Sequence, residues 1–169
     1  MAADETGRTI TLRDGRTLGY AEYGAPGGTP VMSFHGFPGS RITSRLGHEA
    51  AMRRGARVIA PERPGMGLSS YQPHRRMMDW PGDVAQLADA LGMRRVAVMG
   101  VSGGGPYVAA CALAIPDRLT AAGIVSGVGP MDRPGGTDGM LRMNKILFGV
   151  QRRFPPAGRA VVWLQSLVM

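Results

Sequence analysis

Short apolar runs at regular spacing define the strands that this chain predicts. Residues 9–12 and 17–23 alternate apolar and polar positions on either side of Asp14-Gly15, a pair typical of tight turns, and they predict a β-hairpin. Short continuous apolar runs are typical of strands that are buried on both faces. Such runs cover residues 31–34, 57–60, 96–99 and 119–125.

Helical periodicity and end signals predict helices between these runs. Residues 44–54 form the first helix, which Gly55 ends. Asp79 is a favourable N-cap of the second, Pro81 fits its first turn and Gly92 closes it. Its apolar positions share one face: Val84, Leu87, Ala88 and Leu91. Strands that alternate with helices after an opening hairpin predict an α/β fold, with a mostly parallel, doubly wound sheet covered on both faces.

The segment around Ser102 carries the candidate chemistry. An apolar strand leads into Gly100-Val-Ser-Gly-Gly104, and a helix rich in small residues follows as far as about Pro116. This G-x-S-x-G pattern is typical of a nucleophile elbow, in which a strained turn lifts the serine hydroxyl above the sheet. Gly100 and Gly104 fit the positions where a side chain would clash with the turn. A glycine-rich loop or a plain strand–helix corner is the alternative interpretation.

Charge and composition exclude other classes of function. The net charge of +8 comes almost wholly from arginine, scattered as pairs near element ends, with Lys145 as the only lysine. No nucleic-acid recognition motif accompanies it, so we expect no nucleic-acid partner.

Neither a signal peptide nor a membrane-length apolar run is evident, which predicts a cytoplasmic protein without a membrane partner. The single Cys111 is expected to be a buried thiol. The richness in glycine, alanine and arginine suggests a GC-rich bacterial genome.

Neither metal nor cofactor is predicted. The sequence contains no cluster of metal-ligating residues at a known spacing and no phosphate-binding loop. We therefore expect chemistry that depends on amino-acid side chains and backbone groups alone.

Three ordered motifs resemble those of the α/β-hydrolase family. They are the His35-Gly36 loop, the Glu62-Arg63 loop that runs to Ser69, and the segment centred on Ser102. The resemblance covers about residues 8–130 and is closest to bacterial serine hydrolases, which include esterases, proline-iminopeptidase-like enzymes and cofactor-free haloperoxidase-like members. A serine at the nucleophile position argues against the haloalkane dehalogenase and epoxide hydrolase branches, which attack with a carboxylate.

The resemblance implies roles for individual residues. Ser102 would be the catalytic nucleophile, and the backbone N–H groups of Phe37 and Gly103 would form the oxyanion hole. His35 and Gly36 would support the loop geometry, as Gly100 and Gly104 support the elbow; a turn that merely braces the sheet is the alternative for His35-Gly36. Glu62 and Arg63 would be a loop-bracing pair, with direct substrate contact as the alternative.

The general base is missing from the expected place. The family order is serine, then acid, then histidine, but the histidines of this chain (His35, His48 and His74) all precede Ser102. Asp132 is a candidate acid, with a surface turn residue as the alternative. We therefore expect the 169-residue chain alone to be inactive or nearly so.

The remaining residues predict the organisation of the chain. Residues 1–130 would form an incomplete hydrolase core, truncated after about the sixth strand. Residues 131–169 would form a linker and the start of a helical cap, with apolar-faced helices near 140–150 and 161–168. The strand at 119–125 would be an unprotected edge through which a homodimer could form.

Three functional hypotheses follow. The first is a serine-dependent hydrolase that acts on an ester or amide acyl bond of a small molecule and lacks the C-terminal acid and histidine. The second is a non-catalytic, truncated or ligand-binding protein on the same scaffold. In the third, a partner chain completes the sheet and supplies the histidine.

Overall fold

A single six-stranded sheet organises the described part of the chain. The computed structural model describes residues 7–154 and residue 156. The strand order is β1-β2-β4-β3-β5-β6. The strands are β1 (Arg8–Thr11), β2 (Thr17–Gly24), β3 (Thr29–Phe34), β4 (Ala56–Pro61), β5 (Val96–Val101) and β6 (Leu119–Val125). β1 and β2 run antiparallel to their neighbours, whereas the pairs β3–β4, β3–β5 and β5–β6 are parallel, so the predicted mostly parallel α/β sheet is confirmed.

The opening hairpin forms where Asp14-Gly15 predicts it. Gly15 has a φ of +83°. Glycine adopts this conformation at little energetic cost because it has no Cβ. Arg16 then ties the hairpin to the helix α2 (Trp80–Ala90), because its guanidinium donates to both carboxylate oxygens of Asp83 at 2.7 and 3.0 Å. Asp83 is 3% exposed, so this ion pair is shielded from water.

The main core lies between one face of the sheet and two helices, α2 and α3 (Gly105–Ala114). The alternate residues Met32 and Phe34 of β3 point into it, as do side chains of β4 and β5. Trp80 packs edge-on against both Phe34 and Tyr107, with ring centroids 5.4 and 5.9 Å away. The apolar face predicted for α2 is therefore the face that covers the sheet.

Two helix starts differ from the sequence prediction. The predicted helix at 44–54 is a 3₁₀ segment (Arg41–Gly47) followed by the short α-helix α1 (His48–Arg53), and Gly47, a poor helix former, lies at the junction. Asp79 does not cap α2. Its carboxylate accepts from the N–H of Arg76 at 2.7 Å instead, which closes a 3₁₀ turn immediately before α2.

The edge strand β6 is exposed along most of its length. Every residue after Leu119 in this strand is exposed, including Ile124 and Val125 at 52% and 51%. Within the described residues β6 has a single neighbour, β5. Its apolar side chains therefore remain in contact with water.

The chain divides into two compact units, Met1–Val128 and Gly129–Met169. In the second unit the structure describes a series of turns followed by the helix α4 (Arg142–Arg153). Ile146 and Val150 of α4 are exposed at 62% and 39%. The helix predicted near 161–168 lies outside the described residues. No helix in the described part is both long and apolar enough to span a bilayer.

Leu87 and Leu113 give a matched test of the core. Leu87 in α2 is fully buried, whereas Leu113 in α3 is 76% exposed. We expect Leu87→Ala to lower the free energy of unfolding by about 2–5 kcal/mol, because the substitution leaves a cavity under the sheet. Leu113→Ala should change it by less than about 0.5 kcal/mol. Urea unfolding followed by circular dichroism measures both, and equal effects would contradict the assigned packing face of α2.

Candidate active site

Ser102 lies at the sharp turn between β5 and α3. Its φ is +51°, a left-handed conformation. This conformation costs a serine about 1–3 kcal/mol, so it persists only where the surrounding structure holds it. The chain continues through the 3₁₀ turn Ser102–Gly104 directly into α3. The strand–turn–helix context of the G-x-S-x-G pattern is thus present in the structure.

The glycines around Ser102 have no room for side chains. A Cβ at Gly100 would lie 2.5 Å from the carbonyl oxygen of Gly104 and 2.8 Å from Cγ2 of Val108. A Cβ at Gly104 would overlap the carbonyl oxygen of Phe34, at the end of β3. The start of α3 therefore packs against the backbone of β3 itself.

The loop after β3 meets the elbow at Gly103. A Cβ on Gly103 would lie 3.2 Å from the amide nitrogen of Phe37, and one on Gly36 would lie 3.5 Å from Cβ of Ser102. On the elbow side, the N–H of Val128 donates to the carbonyl oxygen of Ser102 at 3.1 Å. The structure thus brings the four residues Gly36, Phe37, Ser102 and Gly103 together.

Glu62 and Arg63 brace different segments and do not bind each other. The carboxylate of Glu62, which is fully buried, accepts from the guanidinium of Arg41 at 2.8 Å and from the N–H of Leu68 at 2.7 Å. Arg63 reaches the His35-Gly36 loop instead. Its Nη1 donates to the carbonyl of His35 at 2.7 Å and its Nη2 to that of Gly36 at 2.8 Å. Nothing in the sequence identified these partners.

His35 is a buried, neutral side chain beside Arg63. It is 4% exposed, and its Nδ1 lies 2.9 Å from the carbonyl oxygen of Gly36 and 3.1 Å from Nη2 of Arg63. Burial, and then the positive charge of Arg63, lower the pKa of His35 to about 4. Its Nε2 has no hydrogen-bond partner among the described residues.

The other candidate bases and the candidate acid are engaged or exposed. Nδ1 of His48 accepts from the N–H of Gly24 at 3.1 Å, on the strand β2. His74 is exposed in the loop before α2, and Asp132 is exposed in a turn of the second unit. Within residues 7–154 the hydroxyl of Ser102 makes no hydrogen bond to a histidine or a carboxylate.

An open groove reaches the elbow along the second face of the sheet. Its volume is about 760 Å³, and Ser102 and Phe37 line one end. The walls are mostly apolar and come from the outer face of β3, β4 and β5 together with α1. They include Val31, Val58, Met99, Val101 and Ala51. An apolar group of moderate size can therefore lie beside the hydroxyl of Ser102.

Two further observations bear on metals and thiol chemistry. Across the described residues, no three His, Cys, Asp or Glu side chains come together in an arrangement that could hold a metal ion. Cys111 is fully buried in α3, and burial raises the pKa of its thiol to about 12. Such a thiol is a packing residue and a poor nucleophile.

The chain belongs to the α/β-hydrolase family. Residues 29–162 match the family described as alpha/beta hydrolase fold, which agrees with the sheet order and with the elbow. The family and the similar proteins named below are hydrolases and related enzymes. The resemblance predicted from the three ordered motifs is confirmed.

Individual relatives differ in their chemistry. The chain is 37% identical over 125 residues to a non-heme chloroperoxidase of Streptomyces lividans, and the matched region covers 73% of this chain and 45% of that protein. It is 33% identical over 111 residues to an epoxide hydrolase of Caballeronia sordidicola, covering 64% of this chain and 33% of that one. A thermophilic esterase from Thermogutta terrifontis superposes with a TM-score of 0.65 at 28% identity, over 86% of this chain and 53% of that structure. The chain spans less than half the length of these curated relatives.

Gly104 and Gly82 test the packing of the elbow. We expect Gly104→Ala to lower the free energy of unfolding by roughly 1–3 kcal/mol, because the new methyl group overlaps the backbone of β3. Gly82 in α2 is exposed and faces open space, so Gly82→Ala should raise the stability by about 0.5–1 kcal/mol through helix propensity. Urea unfolding distinguishes the two signs, and a stabilising Gly104→Ala would contradict the close approach.

His35 predicts a pH dependence of stability. The pKa falls from 6.5 for a free histidine to about 4 in the folded chain, so between these values the unfolded state binds the proton more tightly. Stability contributed by the neutral ring is therefore present above pH 6.5 and is lost as the pH falls towards 4. From pH 7 to pH 5 the loss from this group should be about 2 kcal/mol.

The measurement is urea unfolding at pH 7, 6 and 5. His35→Asn should lose less stability on acidification than the wild type by this amount, whereas His74→Asn, at an exposed position, should behave like the wild type. Identical pH profiles for the wild type and His35→Asn would show that His35 does not titrate as described.

Proposed function

We propose that this chain carries the nucleophile and the oxyanion hole of a serine-dependent hydrolase that acts on an ester or amide acyl bond of a small molecule. Ser102 is the nucleophile, and the N–H groups of Phe37 and Gly103 stabilise the negative charge of the tetrahedral intermediate. His35, Gly36, Gly100 and Gly104 hold the loop and the elbow in place.

One observation carries this proposal. Ser102 is held at a φ of +51° between glycines that admit no side chain, directly beside the loop that contains Phe37. A fold that maintains a strained serine at the mouth of an apolar groove is well explained by nucleophilic chemistry. Losing one oxyanion donor typically costs about 2.7–4 kcal/mol of transition-state stabilisation, so the placement of these two amides matters for rate.

The residue at position 102 also favours acyl transfer over other reactions of similar proteins. A serine hydroxyl forms an acyl-enzyme with an ester or amide. The relatives named above include an epoxide hydrolase and a chloroperoxidase, and the reactions in these names are those of the relatives. The apolar groove beside Ser102 supports a small substrate with an apolar acyl or alcohol part.

A second candidate function is ligand binding without turnover. The apolar groove of about 760 Å³ beside Ser102 favours it, because such a groove can hold a ligand whether or not the serine reacts. A third arrangement is a homodimer through the exposed edge β6, in which a second copy supplies the missing group.

The test uses a fluorophosphonate probe on the purified full chain, read by intact mass. We expect slow phosphonylation of the wild type and none in Ser102→Ala. Imidazole added in solution should accelerate the reaction, because it replaces the missing general base. Ser70→Ala, in which a hydroxyl bonded to the N–H of Thr17 is removed, serves as the matched serine control and should label like the wild type.

The alternatives give different results. If imidazole induces no labelling of a folded chain, Ser102 is not an activatable nucleophile, and ligand binding without turnover is favoured. Fast labelling without imidazole that depends on protein concentration identifies the homodimer as the source of the base. Fast labelling at all concentrations assigns a base within the chain and contradicts the incomplete site.

A further inference from the structure

Arg63 is a buried cation whose hydrogen bonds, among the described residues, go to the backbone carbonyls of His35, Gly36 and Gly103, while its Nη2 lies 3.1 Å from Nδ1 of His35. It is 4% exposed, and its guanidinium lies over the ring of Tyr107 with 5.0 Å between Cζ and the ring centroid. Burial lowers its pKa to about 10, so it remains charged at neutral pH. Among the ion pairs of the described residues, none includes Arg63. A buried charge of this kind is unusual unless a carboxylate compensates it.

Two of the carbonyls that bind Arg63 belong to the oxyanion loop, the segment of residues 35–38 that follows β3 and carries the N–H of Phe37. Nη2 donates to the carbonyl of Gly36 at 2.8 Å, and this oxygen is part of the same peptide group as the N–H of Phe37. In a trans peptide the C=O and N–H bonds point in opposite directions. A hydrogen bond that fixes the carbonyl of Gly36 therefore also fixes the direction of the N–H of Phe37.

The positive charge also strengthens this donor. A cation at the carbonyl end polarises the peptide group, and the N–H at the other end becomes a better hydrogen-bond donor. The second donor peptide is held in a similar way but by a neutral group, since the carbonyl of Ser102 accepts from the N–H of Val128 at 3.1 Å. The two amides assigned to the oxyanion hole are thus each oriented from their carbonyl end, and one of them by a charge.

We propose that Arg63 is a positioning residue of the oxyanion hole, which aims and polarises the N–H of Phe37 through the carbonyl of Gly36. This inference rests on the proposed function. It explains why a cation is buried at this position, where a neutral amide could have braced the same loop.

The experiment separates charge from bracing with three variants of the full chain. Arg63→Gln keeps hydrogen-bond donors but removes the charge, and Arg63→Lys keeps the charge but cannot reach both carbonyls. Arg75→Gln is the matched control, because Arg75 lies on Tyr107 with 5.6 Å between Cζ and the ring centroid and bonds to its hydroxyl. No hydrogen bond joins Arg75 to the loop within the described residues.

The first readout does not depend on reactivity. In ¹H–¹⁵N spectra the amide proton of Phe37 should move to higher field in Arg63→Gln. The amide of Gly103 should move less, because Arg63 contacts the carbonyl of Gly103 at 3.5 Å and not the carbonyl of Ser102, which shares a peptide group with that amide. Arg75→Gln should leave both amides unmoved. A Phe37 amide that does not move, or equal shifts of both amides, overturns the proposal.

The second readout is the imidazole-dependent rate of phosphonylation at Ser102. Loss of a direct donor costs about 100- to 1,000-fold, so loss of the group that positions a donor should slow Arg63→Gln by about 10-fold. Arg63→Lys should fall between Arg63→Gln and the wild type, and Arg75→Gln should lie within about twofold of the wild type. Equal rates for Arg63→Lys and Arg63→Gln would make Arg63 a brace only and overturn the role of its charge.

Failure of the two proposals can be distinguished. If the folded wild type does not label at Ser102, the proposed function fails and the amide shifts alone decide the role of Arg63. If Arg63→Gln does not fold by circular dichroism, Arg63→Lys takes its place against the wild type, and a Phe37 amide shift and a phosphonylation rate that both equal those of the wild type then overturn the proposal.

Discussion

The close approach of the elbow to the end of β3 is the constraint on which the rest of the site depends. Gly104 packs so tightly on the carbonyl of Phe34 that no Cβ fits between them. This contact fixes where α3 begins relative to β3, and thereby holds Ser102 in its left-handed conformation. It also brings the loop that follows Phe34 next to Gly103. The placement of Ser102 and of both candidate donors thus follows from one backbone contact, beside which Trp80 and Phe34 pack in the core.

The guanidinium of Arg63 is a buried positive charge beneath this contact, and it has no carboxylate partner among the described residues. Arg63 and Glu62 are adjacent in sequence, yet Glu62 has its own partner in Arg41, and Arg63 faces carbonyls and an aromatic ring. Burial of His35, and then the charge of Arg63, lower the pKa of this histidine to about 4, so it is unsuited to accept a proton from Ser102 at neutral pH. The same arrangement that supports the oxyanion loop therefore excludes His35 as the general base.

The sequence predicts the parts of this structure that depend on local rules. Asp14-Gly15 identifies the hairpin because few residue pairs accept its backbone conformation, and G-x-S-x-G identifies the elbow because the turn excludes side chains at two flanking positions. Long-range partners are different. Nothing local indicates that Arg63 binds the loop at His35 while Glu62 binds Arg41, since both choices satisfy a buried polar group equally well. The cap predicted for Asp79 failed for a related reason, because a 3₁₀ turn before α2 competed for its carboxylate.

The groups that the proposed function requires differ in how precisely they must be placed. Backbone donors of an oxyanion hole must be held in place by packing. They stabilise the negative charge of a transition state effectively because they do not have to reorient while that charge develops. A general base needs only to reach the hydroxyl, so many side chains on many loops could serve. The relatives compared above extend well beyond the region they share with this chain, and they differ in the reactions named for them. In this chain the elbow, the loop after β3 and Arg63 are held by packing and hydrogen bonds among the described residues, which is the preorganisation that the proposed oxyanion hole needs.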